Sequence, residues 1–389
     1  MPPEPIDLLI EARWVLPIAP ANTVLPDHAV AVSSGKIVDI GPVAEMTERF
    51  EARERVVRRD HALLPGFVNA HTRGAPTALL RGLPDCGPAE QRCISADFVR
   101  EGTQFAVADM LRAGITSFAN TYLFPEEAAR VASAARMRAA IGLPVADSPN
   151  VWADSATAHF ERAEQLWDQY RSDPWVCLYF APQDAAGVSD ATLIRVRRVA
   201  DELDARITME SPPLQRLSAL GLLRPGFAAI PHEIWEPDER ELVETTGISV
   251  IACLQGDLRL GAVADVSSVV GLGSGDPLSV AAVDMLGEAR MAATLGVPAL
   301  EALRLVTLGG ATALGFGYDI GSIEPGKYAD LVCVRVDESG FNVPESLLFG
   351  ATRAQVSDVW TSGRAALGSF DEDELVASAQ KWLRIGGAT

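Results

Sequence analysis

His71 and Arg73 stand two residues apart at the end of the apolar run LLPGFVNAHTR, Leu63 to Arg73, and their types define the chemistry open to this chain. An imidazole can ligate a metal, carry a proton or hold a hydrogen bond. A guanidinium is planar, permanently charged and a donor only. Arg73 therefore cannot give a lone pair to a metal, but it suits a carboxylate or an anionic ligand. Three other strand-like runs deliver groups of the same kind: ARITME ends in Glu210, FAAIPHEI carries His232, and VVGLGSGD ends in Asp276. Each also has an ordinary structural reading. His71 could bond a loop carbonyl, Glu210 and Asp276 could be counterions of Arg73, and Asp284 could cap the helix that follows it. His28, His61 and His159 form no ligand set at their spacings and read as structural.

The elements that must position these groups follow from the pattern. From Asp7 to about Leu64, short β-rich runs are separated by turn residues such as Ser33, Ser34 and Gly35. From Gly66 to about Phe316, apolar strand-like runs alternate with helical stretches. Two of those stretches, SADFVREGTQFAVADMLRAG and SDATLIRVRRVADELD, show helical apolar spacing and begin at a Ser suited to capping. Such alternation implies parallel strands with crossover helices. Beyond it, IGSIEPGKYADLVCVRV and AQVSDVWTSGRAAL return to short strands. The expected organisation is a composite β domain from residues 1–64 and 317–389, with an α/β unit over 65–316 between them.

Composition narrows the partners. With 389 residues, 48% of them hydrophobic, the chain can bury a barrel of about 250 residues and a smaller domain. A net charge of -19 argues against nucleic acid and anionic membrane, which an acidic surface repels. Five scattered cysteines without a C-x-x-C pair argue against a disulfide framework and fit a reducing cytoplasm. The first residues show neither a signal peptide nor a membrane span.

The segments LLPGFVNAHT, MLRAGITSFANTYLFPEEA, VSDATLIRVRRVADELD, VDMLGEARMAATL, VTLGGATALGF and IGSIEPGKYADLV together resemble the aminohydrolase branch of the amidohydrolase superfamily. The resemblance is to 5-methylthioadenosine/S-adenosylhomocysteine deaminases and triazine hydrolases, and it covers nearly the whole chain. It implies a (β/α)8 TIM barrel with a composite β-sandwich, an active site at the C-terminal strand ends, and one zinc or iron ion that activates water.

Carried over residue by residue, the family site matches poorly. Its two first-strand imidazoles fall on His71 and Arg73; its His-x-x-Glu falls on Glu210 and Pro213. Its sixth-strand His falls on Pro231, with His232 one residue late, and its eighth-strand Asp falls on Gly275, with Asp276 one residue late. A substrate-contacting His becomes Gln183, and His-Cys-Pro-x-Ser-Asn becomes ACLQGDLRL around Cys253. Loops near 85–92, 210–217 and 263–270 look shortened.

Two classes of function follow. In the first, the site is degenerate and holds no cofactor; the chain is a regulatory or partner subunit, or binds a small molecule through Arg73, Gln183 and Glu210. In the second, bulges in the late strands restore side-chain direction. His71, Glu210, His232 and Asp276 then form a set able to hold zinc, manganese or iron, with His232 and Asp276 as catalytic groups of a hydrolase of non-peptide carbon-nitrogen bonds. The family habit makes a homodimer the expected assembly, with a hetero-oligomer containing an active relative as the other.

Overall fold

The computed structural model describes residues 2–80, 83, 86–183, 187–259, 266–275, 283–336, 342–368 and 370–387. Four strands open the chain: β1 (Glu4–Val15), β2 (Leu25–Ser33), β3 (Lys36–Pro42) and β4 (Phe50–Pro65). Eight follow as β5 (Phe67–Thr72), β6 (Ile115–Asn120), β7 (Arg138–Val145), β8 (Val176–Pro182), β9 (Arg206–Glu210), β10 (Phe227–Ile230), β11 (Ser249–Ala252) and β12 (Gly271–Leu272). The last three are β13 (Leu331–Arg335), β14 (Val356–Thr361) and β15 (Arg364–Ala365).

The first and last groups form one mixed sheet in the order β15-β14-β13-β4-β1-β2-β3. Alternation along its strands fills both faces: Leu8, Ile10, Val30 and Val32 enter one core, and Leu9, Ala29 and Ala31 enter another with Met46 and Phe50. The middle eight lie side by side in chain order as a parallel α/β barrel, the architecture expected. Its strands are buried on both faces, which is why β5, β6 and β7 read as continuous runs rather than alternating ones. Closure is through backbone: Thr72 pairs with Gly275, the Gly275 amide donates to the His71 carbonyl at 3.0 Å, and the Arg73 amide donates to Gly275 at 3.3 Å.

Capping follows the local sequence. Ser189 accepts from the Thr192 amide at the start of the helix Asp190–Leu203, and Ser95 does so from Phe98 ahead of the helix Ala96–Arg112. Asp284, expected to cap or orient the helix Met285–Thr294, occupies its N-cap position, but its side chain makes no capping hydrogen bond there, which corrects the capping half of that reading.

Two compact units emerge: Met1–Asn69 with Met110–Ser117 and Asp284–Ser369, and Ala70–Asp109 with Phe118–Val283 and Phe370–Thr389. This division differs from the expected one: residues 65–69, 110–117 and 284–316 cluster with the first unit, and 370–389 with the second. The last helix, Glu372–Gly386, clusters with the second unit, because its Trp382 face packs on the helix Ala96–Arg112 there. No helix among the described residues is long and apolar enough to cross a membrane.

Candidate active site

The second unit holds all the described candidate side chains. His71 is buried at the end of β5. Glu210 is the last residue of β9, level with Ile230 at the end of β10. Immediately after it Ser211 takes a left-handed φ of 41°, which turns the chain away from the strand and leaves Glu210 as its terminal side chain. Around that carboxylate, His71 Nε2 stands 3.4 Å from Oε1, while Arg73 Nη2 and His232 Nε2 stand 3.4 Å and 3.6 Å from Oε2.

His232 reaches this point without a bulge. β10 ends at Ile230, so the two-residue alternation that would aim His232 away from Glu210 no longer applies. The bulge expected in this strand is thus unnecessary: His232 sits in a bend after Pro231. Asp276, the fourth member of the expected set, lies outside the described residues.

A second carboxylate, absent from the sequence reading, completes the arrangement. Asp257 is buried in the short helix Leu254–Arg259 after β11; its Oδ1 lies 3.4 Å from His232 Nδ1, and its Oδ2 accepts from the Cys253 amide at 3.3 Å. The signal available was the acid in ACLQGDLRL, a few residues beyond a strand end. The hydrogen bond with Asp257, then that with Glu210, overcomes burial and pushes the His232 imidazole up to about 9. Burial opposes the Glu210 charge, but His71, the His232 hydrogen bond and Arg73 outweigh it and hold the carboxyl far below its usual range. At neutral pH the site therefore contains an ionised Glu210 facing a protonated His232.

Three members of the expected metal-holding set, His71, Glu210 and His232, meet here, with both imidazoles on the one carboxylate. Among the described residues no group of three His, Cys, Asp or Glu side chains is drawn close enough to hold a metal ion, and Asp276 lies outside those residues.

A cavity of about 300 Å³ opens beside Glu210. Arg73, Gln183 and Glu210, the three expected ligand-binding residues, all line it, with Glu90, Tyr122 and Thr208 adding polar groups and Ile94, Leu123, Pro182 and Ile230 apolar wall. The Tyr122 hydroxyl donates to Glu90 Oε1 at 2.7 Å, and burial together with that carboxylate keeps the phenol protonated. Thr121 Oγ1 and the Tyr179 hydroxyl share a hydrogen bond of 2.6 Å. Glu90 lies within one of the loops read as shortened, and no sequence signal marked it.

Two expected outcomes arise from this geometry. The Arg73 and Glu210 side chains are 36% and 26% exposed, so water screens their contact. Arg73→Ala should therefore lower stability by about 1 kcal/mol or less. A loss near the 3–5 kcal/mol of a sealed ion pair, measured by denaturant unfolding, would show that the pair is shielded. Gly273 packs on the backbone of His71 so closely that a Cβ would meet its nitrogen at 2.6 Å and its oxygen at 2.7 Å. Gly273→Ala should cost about 1–3 kcal/mol in thermal melts and displace His71. An unchanged melting temperature would contradict that contact.

Comparison with known proteins places the chain. A model of the amidohydrolase family matches residues 62–210 and 248–366. The chain belongs to this family. It is 30% identical to a 5-methylthioadenosine/S-adenosylhomocysteine deaminase of Teredinibacter turnerae, over 98% of each chain, and 28% identical to the protein of that name from Saccharophagus degradans, over 97% of this chain and 96% of that one. The first alignment runs over 435 positions against a chain of 389 residues, so that relative carries segments this chain lacks. Among solved structures, an adenosine deaminase from Xanthomonas campestris with bound zinc superposes with a TM-score of 0.94 at 39% identity, covering 99% of both chains. An atrazine chlorohydrolase from Arthrobacter aurescens, complexed with zinc, shares the fold with a TM-score of 0.85 at 20% identity, over 97% of this chain and all of that one.

Proposed function

We propose that this amidohydrolase-family chain hydrolyses a non-peptide carbon-nitrogen bond, releasing ammonia from an adenine-type or related heterocycle. The observation that carries the reading is Glu210 lining the cavity with His232 Nε2 3.6 Å from its carboxylate, two titratable groups driven to opposite proton states by their surroundings. Family members named for deamination of adenine nucleosides support the substrate class. A cavity of about 300 Å³ is at the small end of ligand sites and suits one flat heterocycle.

The roles follow from the geometry. Glu210, held by His71, Arg73 and His232, is an acceptor that orients a water or an exocyclic amine. His232 presents a proton at Nε2 for a ring nitrogen or the leaving amine, and Asp257 holds its other nitrogen. The walls of Ile94, Leu123, Pro182 and Ile230 pack the faces of the ring.

A second reading is favoured by the Arg73 contact with Glu210. A cation already seated on the carboxylate neutralises the site, which suits a non-catalytic binder of a small molecule or a regulatory subunit. Incubation of the protein with adenosine, methylthioadenosine and S-adenosylhomocysteine, with and without added zinc or manganese, separates the two. Ammonia above a heat-killed control supports hydrolysis. A ligand-induced rise in melting temperature without ammonia supports the binder. Neither response to any of the three compounds would exclude this substrate class. We place the chain in the cytoplasm as a homodimer, on the strength of its cysteines, which form no disulfide, and of the family habit; sedimentation velocity tests the assembly.

A further inference from the structure

The helix Cys86–Cys93 forms one wall of the cavity, yet it has eight residues, too few to hold a helix in place unaided. Its two sides have different neighbours. Glu90, with Ile94 one turn on, lines the cavity. Ala89 and Cys93, both buried, face the C-terminal helix Glu372–Gly386. There the chain comes close enough that a Cβ on Gly386 would lie 3.4 Å from the Ala89 methyl, 3.5 Å from Leu80 and 3.7 Å from Cys93. Arg92 donates to the Gly386 carbonyl, and the Cys93 thiol donates to the Trp382 carbonyl at 3.7 Å.

The C-terminal helix is itself fastened to a longer support. Trp382 Nε1 donates to Glu101 Oε2 at 2.8 Å, Lys381 Nζ donates to Glu101 Oε1 at 2.8 Å, and the Trp382 ring meets Phe98 edge-on at 5.1 Å between centroids. Glu101 and Phe98 belong to the 17-residue helix Ala96–Arg112. A chain of contacts thus runs from that helix through Trp382 and Gly386 to the back of the cavity wall, with Tyr122 holding Glu90 from the front.

We propose that the C-terminal helix positions the wall of the substrate cavity: Trp382 and Gly386 set where the Glu90-bearing helix stands, and so set affinity for the heterocycle, without touching it. The substrate part of this inference rests on the proposed function; the mechanical part does not. Trp382 and Gly386 are positioning residues whose loss should weaken substrate binding more than it slows the chemistry centred on Glu210 and His232.

The test uses the full chain with Trp382→Ala and Gly386→Phe, and Trp382→Phe as the conservative variant that keeps a ring against Phe98. Hydrogen exchange of the segment 86–94 should accelerate at least ~10-fold in the first two, with the barrel strands unchanged, and recover in part in Trp382→Phe. For methylthioadenosine, KM should rise about 10-fold while kcat stays within about 2-fold; in a chain that binds without turnover, the Kd should rise by the same factor. Unchanged exchange over 86–94, or exchange that rises equally in every strand, would overturn the positioning role. Local acceleration with unchanged KM and Kd would overturn its link to affinity. A parent protein that neither binds nor converts methylthioadenosine would refute the proposed substrate and the affinity part, while the exchange measurement still decides the mechanical part.

Discussion

Glu210→Gln is expected to reduce turnover by about 10²–10⁴-fold, the range seen when a positioned acid-base group is removed. The amide has nearly the same shape but no charge. It leaves Arg73, 3.4 Å away, and His232, 3.6 Å away, without the anion that both face. His232 then loses the second-largest of the two hydrogen bonds that keep it protonated, so the variant lacks the oriented acceptor and has a weakened proton donor as well. The fold should persist, since Glu210 is a strand end and the buried apolar Ile207 and Met209 of β9 are untouched. A parent-like kcat/KM in Glu210→Gln, with a cooperative melt, would remove Glu210 from the chemistry. Loss of activity together with loss of the melt would instead assign it to the fold.

Asp257→Asn should move the proton state of His232 itself. Asp257 contributes most to holding that imidazole near 9, above its ordinary 6.5. An amide retains the oxygen but not the charge, so the alkaline limb of kcat/KM should fall by about 1–2 pH units. The His232 resonance in a proton NMR titration should shift by the same amount, whether or not the chain turns over. An unmoved titration would break the pairing.

The effect on stability has a definite sign. A raised folded-state value means that His232 contributes stability fully below pH 6.5, and that this contribution is lost as pH rises through about 9. Glu210, depressed in the fold, contributes above its ordinary 4.5 and loses that contribution as pH falls. The parent should therefore be most stable between about pH 4.5 and 6.5, as far as this site decides it. The gap between parent and Asp257→Asn should be widest below pH 6.5, about 1–3 kcal/mol for a buried carboxylate that also serves the Cys253 amide, and should close above pH 9. A gap that widens toward alkaline pH would contradict the assignment.

Much of the scaffold could be read from local pattern. The Ser residues ahead of two helices, the runs that became β5, β6 and β9 to β12, and the motif segments that identify the family all depend on neighbours within a few positions, where propensity and burial act directly. His71 and Arg73 could be named from the run that they end, and Glu210 and Gln183 from the positions that the family resemblance implies; the barrel gathers strand ends at one face, so Arg73, Glu210 and Gln183 line one cavity.

The sequence by itself determined the family, the barrel and the identity of the acidic and basic groups at the strand ends, Arg73 among them. Tertiary structure decided how those groups meet. Whether His232 faces Glu210 depends on where β10 stops, since two-residue alternation governs direction only inside the strand, and spacing alone cannot locate that end. Asp257 lies 25 residues beyond His232 and becomes its partner because parallel pairing sets β10 beside β11. The proton states follow from those distances: a charge is fixed by what surrounds it within a few ångströms, and only the folded chain brings Glu210, His232 and Asp257 that close.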